Sequence, residues 1–169
     1  TALSTLTNLK EIVKSKYQII DWGCGQGLAT LCFLDYIKED LNNKQPQSIT
    51  LIEPSNPAIT QAEKYIQTFT KVNTTKLIEK KLDEVKLSEI KITEPVTINF
   101  FSNILDIESI NLEKLADLIK YNLKGEQYFV CVGPMNANST RIDTFAKLLH
   151  CTEEQLIGKE KGKLKTTRG

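Results

Sequence analysis

Asp21-Trp-Gly23-Cys-Gly25-Gln-Gly27 is the stretch best suited to chemistry: three glycines at alternate positions behind a carboxylate. An apolar run from Tyr17 to Ile20 leads into it, and an amphipathic stretch from Leu28 to Leu41 leads out. That order predicts a buried strand, a turn too tight for side chains, and a helix whose N-terminus faces the turn. A small ligand can lie there against bare backbone, near the positive end of a helix dipole. The spacing narrows the ligand further. A dinucleotide fingerprint, G-x-G-x-x-G, needs glycine where Leu28 stands, and a phosphate-cradling loop needs a Gly-Lys-Ser/Thr that is absent. A carboxylate ahead of the first glycine would repel a phosphate. It suits a ligand that carries positive charge.

Composition excludes several other classes. The chain has 169 residues, 40% of them hydrophobic and 25% charged, with a net charge of +1. Those values describe one ordinary globular domain with its own core. They do not describe an electrostatic magnet for nucleic acid or acidic lipid. Arg141 and Arg168 are the only arginines, so recognition of phosphate or guanine by several guanidinium forks is unavailable within this chain. Cys24, Cys32, Cys131 and Cys151 form no C-x-x-C pair and His150 is the lone histidine, so no metal site is expected. The cysteines are expected to be reduced, buried thiols of a cytoplasmic protein. No apolar run approaches the length of a membrane span, and no signal-peptide pattern opens the chain. It begins at Thr1 rather than Met and is expected to be part of a longer polypeptide.

Strand and helix patterns alternate around the glycine turn. Strands are expected at Tyr17–Asp21, Ser48–Glu53, Lys76–Glu79, Pro95–Phe101 and Gln127–Val132, the last stopped by Gly133-Pro134. A leading helix carries Leu3, Leu6, Leu9, Ile12 and Val13 at helical spacing. The next presents Leu28, Leu31, Cys32, Ile37 and Leu41 on one face. A third starts at Asn56-Pro57, asparagine capping and proline in the first turn, and buries Ile59, Ala62, Ile66 and Phe69. A fourth carries Leu112, Leu115, Ile119 and Leu123, with Gly125 as its C-terminal cap. Ile142, Phe145, Leu148 and Leu149 mark another helix, and Thr152-Glu-Glu-Gln155 reads as a capping box for a short last one.

Such alternation with short connections calls for an α/β fold: a three-layer, doubly wound, mostly parallel sheet with helices on both faces. One reversal of strand order places the binding crevice at the carboxyl ends of the strands. Residues 1–157 are expected to form a single domain, and the lysine-rich tail 158–169 to be disordered.

From about residue 15 to 135 the sequence resembles the class I S-adenosylmethionine-dependent methyltransferases, which have a Rossmann-like fold. Their first motif has the acid-and-glycine pattern of Asp21 to Gly27. Glu53 stands where the family places the acid that binds both ribose hydroxyls, and two vicinal donors pair naturally with one carboxylate. Leu82-Asp83 falls near the adenine-binding position, and Ser102-Asn103-Ile104-Leu105-Asp106 resembles the fourth motif, on the methyl-transfer side. The resemblance implies S-adenosylmethionine as cofactor and S-adenosylhomocysteine as product. The cofactor-contacting set it implies is Asp21, Gly23, Cys24, Gly25, Gly27, Glu53, Pro54, Leu82, Asp83, Ser102 and Asn103. Asp21 would face the methionine part, Glu53 the ribose, and Leu82 the adenine, with Asp83 a partner for its exocyclic amine. Two departures stand out: Lys81 occupies a position where the family often has an acid, and the family's closing β-hairpin is missing or truncated in the last 35 residues.

Plainer readings compete at each position. The glycines alone make a tight turn, Glu53 an exposed strand-end acid, Asp83 a solvated charge, and Ser102 and Asn103 turn-formers. Trp22 reads as a packed aromatic, and Cys24 and Cys131 as core thiols. Methyl transfer from a sulfonium needs mainly alignment of an acceptor lone pair, so no universal catalytic residue is expected. Asn103 and Asp106 are the only polar candidates for a base. The stretch Ser102 to Leu105 lacks the Pro-Pro-aromatic motif that often serves exocyclic-amine methylation in the family. The leading expectation is a methyltransferase, or a methyltransferase domain of a larger protein, with its acceptor undetermined. The alternative is a non-catalytic binding or scaffolding module of the same fold; a dehydrogenase-like NAD site is a distant third. The tail lysines leave nucleic acid open as a partner, through phosphate contacts.

Overall fold

The computed structural model of the chain describes residues 12–38, 45–72, 75–122, 124–133 and 140–152. Five parallel strands, β1 (Tyr17–Trp22), β2 (Ser48–Ile52), β3 (Thr75–Ile78), β4 (Val96–Ser102) and β5 (Glu126–Val132), form one sheet in the order β3-β2-β1-β4-β5. Among the described residues the α-helices that connect or follow them are α1 (Leu28–Lys38), α2 (Asn56–Phe69), α3 (Leu112–Asn122) and α4 (Thr140–Leu148). Each parallel neighbour requires a crossover, which explains why strands and helices alternate in sequence. The α/β, doubly wound expectation is met. Among the described residues the sheet ends at β5, with no further strand beyond it.

The period-two alternation of β1 builds two cores. Tyr17 and Ile19 point to one face and pack with Phe33, Leu34 and Ile37 of α1 and Ile59, Ala62 and Ile66 of α2. Ile20 and Trp22 point to the other and pack with Phe101, Leu115, Ile119 and Phe145. Trp22 is 1% exposed and stacks on Phe101 at 5.7 Å, and its Nε1 donates to Asn99 Oδ1 at 3.1 Å. It is a core aromatic with its one donor satisfied, not a ligand wall. Because β1 pairs with β2 on one side and β4 on the other, the chain changes direction of winding at β1. The crevice therefore lies over the carboxyl ends of β1 and β4.

The structure corrects several local expectations. On α1 the buried residues are Thr30, Phe33, Leu34 and Ile37; Leu28 is 70% exposed and Cys32 is exposed. Three contacts fix that rotation: Phe33 meets Tyr17 and Phe100 at 6.3 and 5.3 Å, and Thr30 must face inward to reach Asp21. Of the expected stripe, Ile37 is buried and Leu31 packs partly against the core; the inward face is rotated away from Leu28 and Cys32 because the polar Thr30 belongs to it. Phe69 of α2 is likewise half-exposed, with Lys38 Nζ 6.0 Å from its ring centre. Ser55 precedes α2 as its cap, and Asn56, already in the first turn, instead donates to Glu79 Oε2 at 2.6 Å. Gly125 (φ 68) turns the chain into β5, where a Cβ would fall 2.2 Å from the Pro95 carbonyl oxygen. Only Cys24 is a buried thiol; Cys131 is half-buried and Cys151 is exposed like Cys32. The expected start of the leading helix, Leu41, Leu123, Pro134, the capping box at 152–155 and the lysine-rich tail fall wholly or largely outside the described residues.

Candidate functional site

The glycine turn is tied to β2 before it reaches α1. Gly23 N and Cys24 N both donate to Ile52 O, at 2.8 and 2.9 Å, and Gly27 N closes the turn on Cys24 O at 2.7 Å. Gly23, Gly25 and Gly27 have φ values of 71, 52 and 78°. A Cβ at Gly23 would lie 2.6 Å from Ile104 Cγ1, so glycine there admits the isoleucine to the turn. A Cβ at Gly25 would meet nothing within 4 Å. Its bare backbone borders open space, the arrangement a close-lying ligand requires. Gly25→Ala is accordingly expected to fold with a loss of about 1–2 kcal/mol from the left-handed backbone. The added methyl should cost ligand affinity on top of that, which thermal melts and ligand titrations of the same variant will separate.

Two acids flank the turn, with different surroundings. Glu53 is half-buried just beyond β2, and its oxygens accept Gly25 N–H and Ser55 N–H, each at 3.1 Å. A carboxylate has about four lone-pair sites, so each oxygen keeps room for one more donor. Glu53 therefore stiffens the glycine turn and stays able to receive a pair of hydroxyls.

Asp21 is fully buried on the α1 side of the sheet. Its Oδ2 accepts the Thr30 hydroxyl at 2.7 Å, whereas Oδ1 has no partner. Burial pushes its carboxyl up to about 6, with the negative charge of Glu53 adding to the rise and the Thr30 hydrogen bonds opposing it. A buried carboxylate oxygen with nothing to accept from is costly, and a nearby cation would relieve it.

Beside the turn lies a cavity of about 290 Å³, lined by Gly23, Pro54, Lys81, Leu82, Asp83, Ile104, Ile107, Ser109 and Ile110. Its walls are mostly apolar, with a few polar groups at one side, as small-ligand sites usually are. Lys114 of α3 holds one wall by donating to Asp83 O at 2.6 Å. A second cavity of about 260 Å³, lined by Ile90, Lys91, Ile92, Thr93 and Lys124, sits at the amino ends of the strands, away from both acids.

Of the residues expected from sequence, the structure brings Gly23, Pro54, Leu82 and Asp83 into the cavity wall and sets Gly25 and Glu53 beside it. Asp21 is buried ahead of the turn, and Gly27 closes the turn where it packs on Ala62 and Ile66 of α2. Cys24 packs into the core beneath it, its thiol held in the neutral form first by burial and then by the charges of Asp21 and Glu53. Cys131 on β5 is pushed up to about 12 by burial and, less, by Cys151, so neither thiol is poised as a nucleophile. Ser102 ends β4; Asn103 is exposed with φ 55° and donates its N–H to Val132 O at 2.7 Å. Neither these two nor Asp106 lines the cavity. Sequence reading missed Ile104, Ile107 and Ile110 as wall residues, although their three-residue spacing was a visible signal. Among the described residues no group of His, Cys, Asp and Glu could hold a metal ion, and no helix is long and apolar enough to cross a membrane.

Solved structures share this fold. A precorrin 8W decarboxylase from Methanobacterium thermoautotrophicum superposes with a TM-score of 0.58 at 16% identity, over 88% of this chain and 72% of that one. An rRNA methylase from Streptococcus thermophilus gives 0.56 at 10% identity, over 86% and 79% of the two chains. The O-methyltransferase of a Brevibacillus brevis multienzyme, solved with S-adenosyl-L-homocysteine, gives 0.51 at 12% identity, over 77% of this chain and 40% of that one. No family model and no curated protein sequence matches the chain. At these identities the likeness is one of fold: the chain has a Rossmann-like, methyltransferase-like α/β fold, which these proteins share.

Proposed function

We propose that the crevice binds S-adenosylmethionine and that the chain transfers its methyl group to an acceptor. The observation that carries this reading is Glu53, a strand-end carboxylate with one free acceptor direction on each oxygen, beside the bare backbone of Gly25. The residues present fit the cofactor in three respects. Glu53 suits a vicinal diol, the cavity walls of Pro54, Leu82 and Ile104 suit a flat base, and the unpartnered Oδ1 of Asp21 suits a cationic ligand. Asp83 at the rim offers an acceptor for an exocyclic amine.

When bound, S-adenosylmethionine supplies a methyl group activated on sulfonium. The chain's own part is to hold the cofactor against the glycine turn, exclude water with its isoleucine wall, and leave an approach for the acceptor. Asn103 and Asp106 follow β4, on the expected transfer side; Asp106 is the residue to test as a base, and Asn103, whose amide does not take up a proton, as a hydrogen-bonding group that orients the acceptor.

One observation favours the second reading, a binding module without catalysis: Asn103 and Asp106 lie outside the cavity wall. Incubation with methyl-labelled cofactor and fractions of RNA, protein and small molecules tests for catalysis. Label transferred by the native chain and lost in Glu53→Ala establishes the enzyme. Cofactor binding with no transfer to any fraction leaves both readings standing and calls for further acceptors.

A further inference from the structure

Arg141 stands in the first turn of α4, outside every motif around the crevice, yet its guanidinium reaches the segment between β4 and α3. Nε donates to Leu105 O at 2.6 Å, and Nη2 donates to Ile110 O at 2.7 Å and Ile107 O at 3.2 Å. That segment supplies Ile104, Ile107, Ser109 and Ile110 to the cavity wall. Within it, Ile107 N donates to Ile104 O at 3.3 Å and Ile110 N to Ile107 O at 3.1 Å, isolated turns rather than a continuous helix or ladder. Arg141 is also the only arginine among the described residues. A planar fork with donors in fixed directions can collect three carbonyls from one irregular stretch; a lysine's single ammonium, on a flexible stem, cannot reproduce that geometry.

We propose that Arg141 is a positioning residue of the crevice. It fixes the isoleucine wall against the glycine turn and thereby sets the affinity for whatever lies between that wall and Gly25. The contact at the far end of the wall shows why position matters. Ile104 packs so closely on Gly23 that no Cβ fits between them, so a small displacement of the segment changes the cavity at the turn itself. The opposite wall is pinned in the same way by Lys114 on Asp83 O. Both walls of the cavity are thus held by cations that reach backbone oxygens from helices on the same face of the sheet.

The proposal rests on the crevice being the S-adenosylmethionine site, and the experiment separates the two claims. Amide exchange and S-adenosylhomocysteine titration are measured on the native chain, Arg141→Lys and Arg141→Ala. Exchange is expected to speed up about tenfold or more in Arg141→Ala within 104–111, while the β1 and β4 amides keep their protection. Affinity is expected to fall about tenfold in the same variant, with Arg141→Lys in between. A purely structural role would lower the melting temperature and leave the affinity of the folded protein unchanged, which overturns the proposal. Exchange unchanged at 104–111 overturns it too. If Arg141→Ala does not fold, the lysine variant carries the same two readouts. Absence of binding by the native chain would overturn the cofactor reading, and with it the affinity half of the proposal; the exchange result would then decide wall-holding alone.

Discussion

Asp21→Asn is expected to make the free protein more stable and its ligand binding weaker. The Asp21 carboxyl, at 3.8 in an unstructured chain, is pushed up to about 6 in the folded one by burial and by Glu53. Between about pH 4 and 6 the folded state therefore holds the proton that the unfolded state has lost, and stability falls as pH rises through that window. Above it the penalty is complete, on the order of 3 kcal/mol for a shift of about two units. Asparagine removes the charge and still offers Thr30 an acceptor. Its amide then lies where Oδ1 lay, with no partner, which returns about 1–2 kcal/mol of the gain. The net expectation is about 1–2 kcal/mol of added stability at pH 7.5 and loss of most of the slope between pH 4 and 6. Chemical denaturation across pH reads both. Affinity for a cationic ligand should drop about tenfold, since the buried negative charge behind the turn has gone. A variant no more stable than the native chain at pH 7.5, with its pH slope intact, would show that Asp21 is not a stored electrostatic cost.

Glu53→Ala carries the largest expected loss of binding. Each charge-assisted hydrogen bond to a ligand hydroxyl is worth about 1.5–3 kcal/mol, so losing two should weaken binding about a hundredfold or more. The substitution also frees Gly25 N–H and Ser55 N–H, and a loosened turn would weaken binding by a different route. Comparison with ligands that lack a hydroxyl separates the two. If Glu53 holds the diol, the native chain should lose much of the same affinity for the 2′-deoxy analogue of S-adenosylhomocysteine. The alanine variant should no longer distinguish the two ligands, giving a coupling energy of 1 kcal/mol or more by the usual cycle. Additive losses would assign Glu53 to the turn alone.

The sheet and its crevice were legible in the sequence because each rests on a local signal. β1, β2 and β4 are runs rich in apolar residues and buried almost throughout, as strands covered on both faces are, and Asp21 and Glu53 stand at or beside the ends of theirs. The glycine turn was legible for the same reason: three positive-φ positions leave three glycines in the chain. What escaped depends on partners distant in sequence. The rotation of α1 follows from a bond between Thr30 and Asp21, and the half-exposure of Phe69 from where α2 ends on the sheet. Arg141 escaped because its role is defined by carbonyls 31 to 36 residues away, which no periodicity announces. The full burial of Asp21 escaped for the same reason: its side chain lies beneath the turn, held through one oxygen by Thr30, nine residues further along the chain.

Calorimetric titration of the native chain with S-adenosylhomocysteine tests the cofactor assignment most directly. One ligand is expected to bind per chain with a dissociation constant on the order of micromolar, weakened about a hundredfold or more in Glu53→Ala. No detectable binding at millimolar ligand, or equal binding by the native chain and Glu53→Ala, would contradict it.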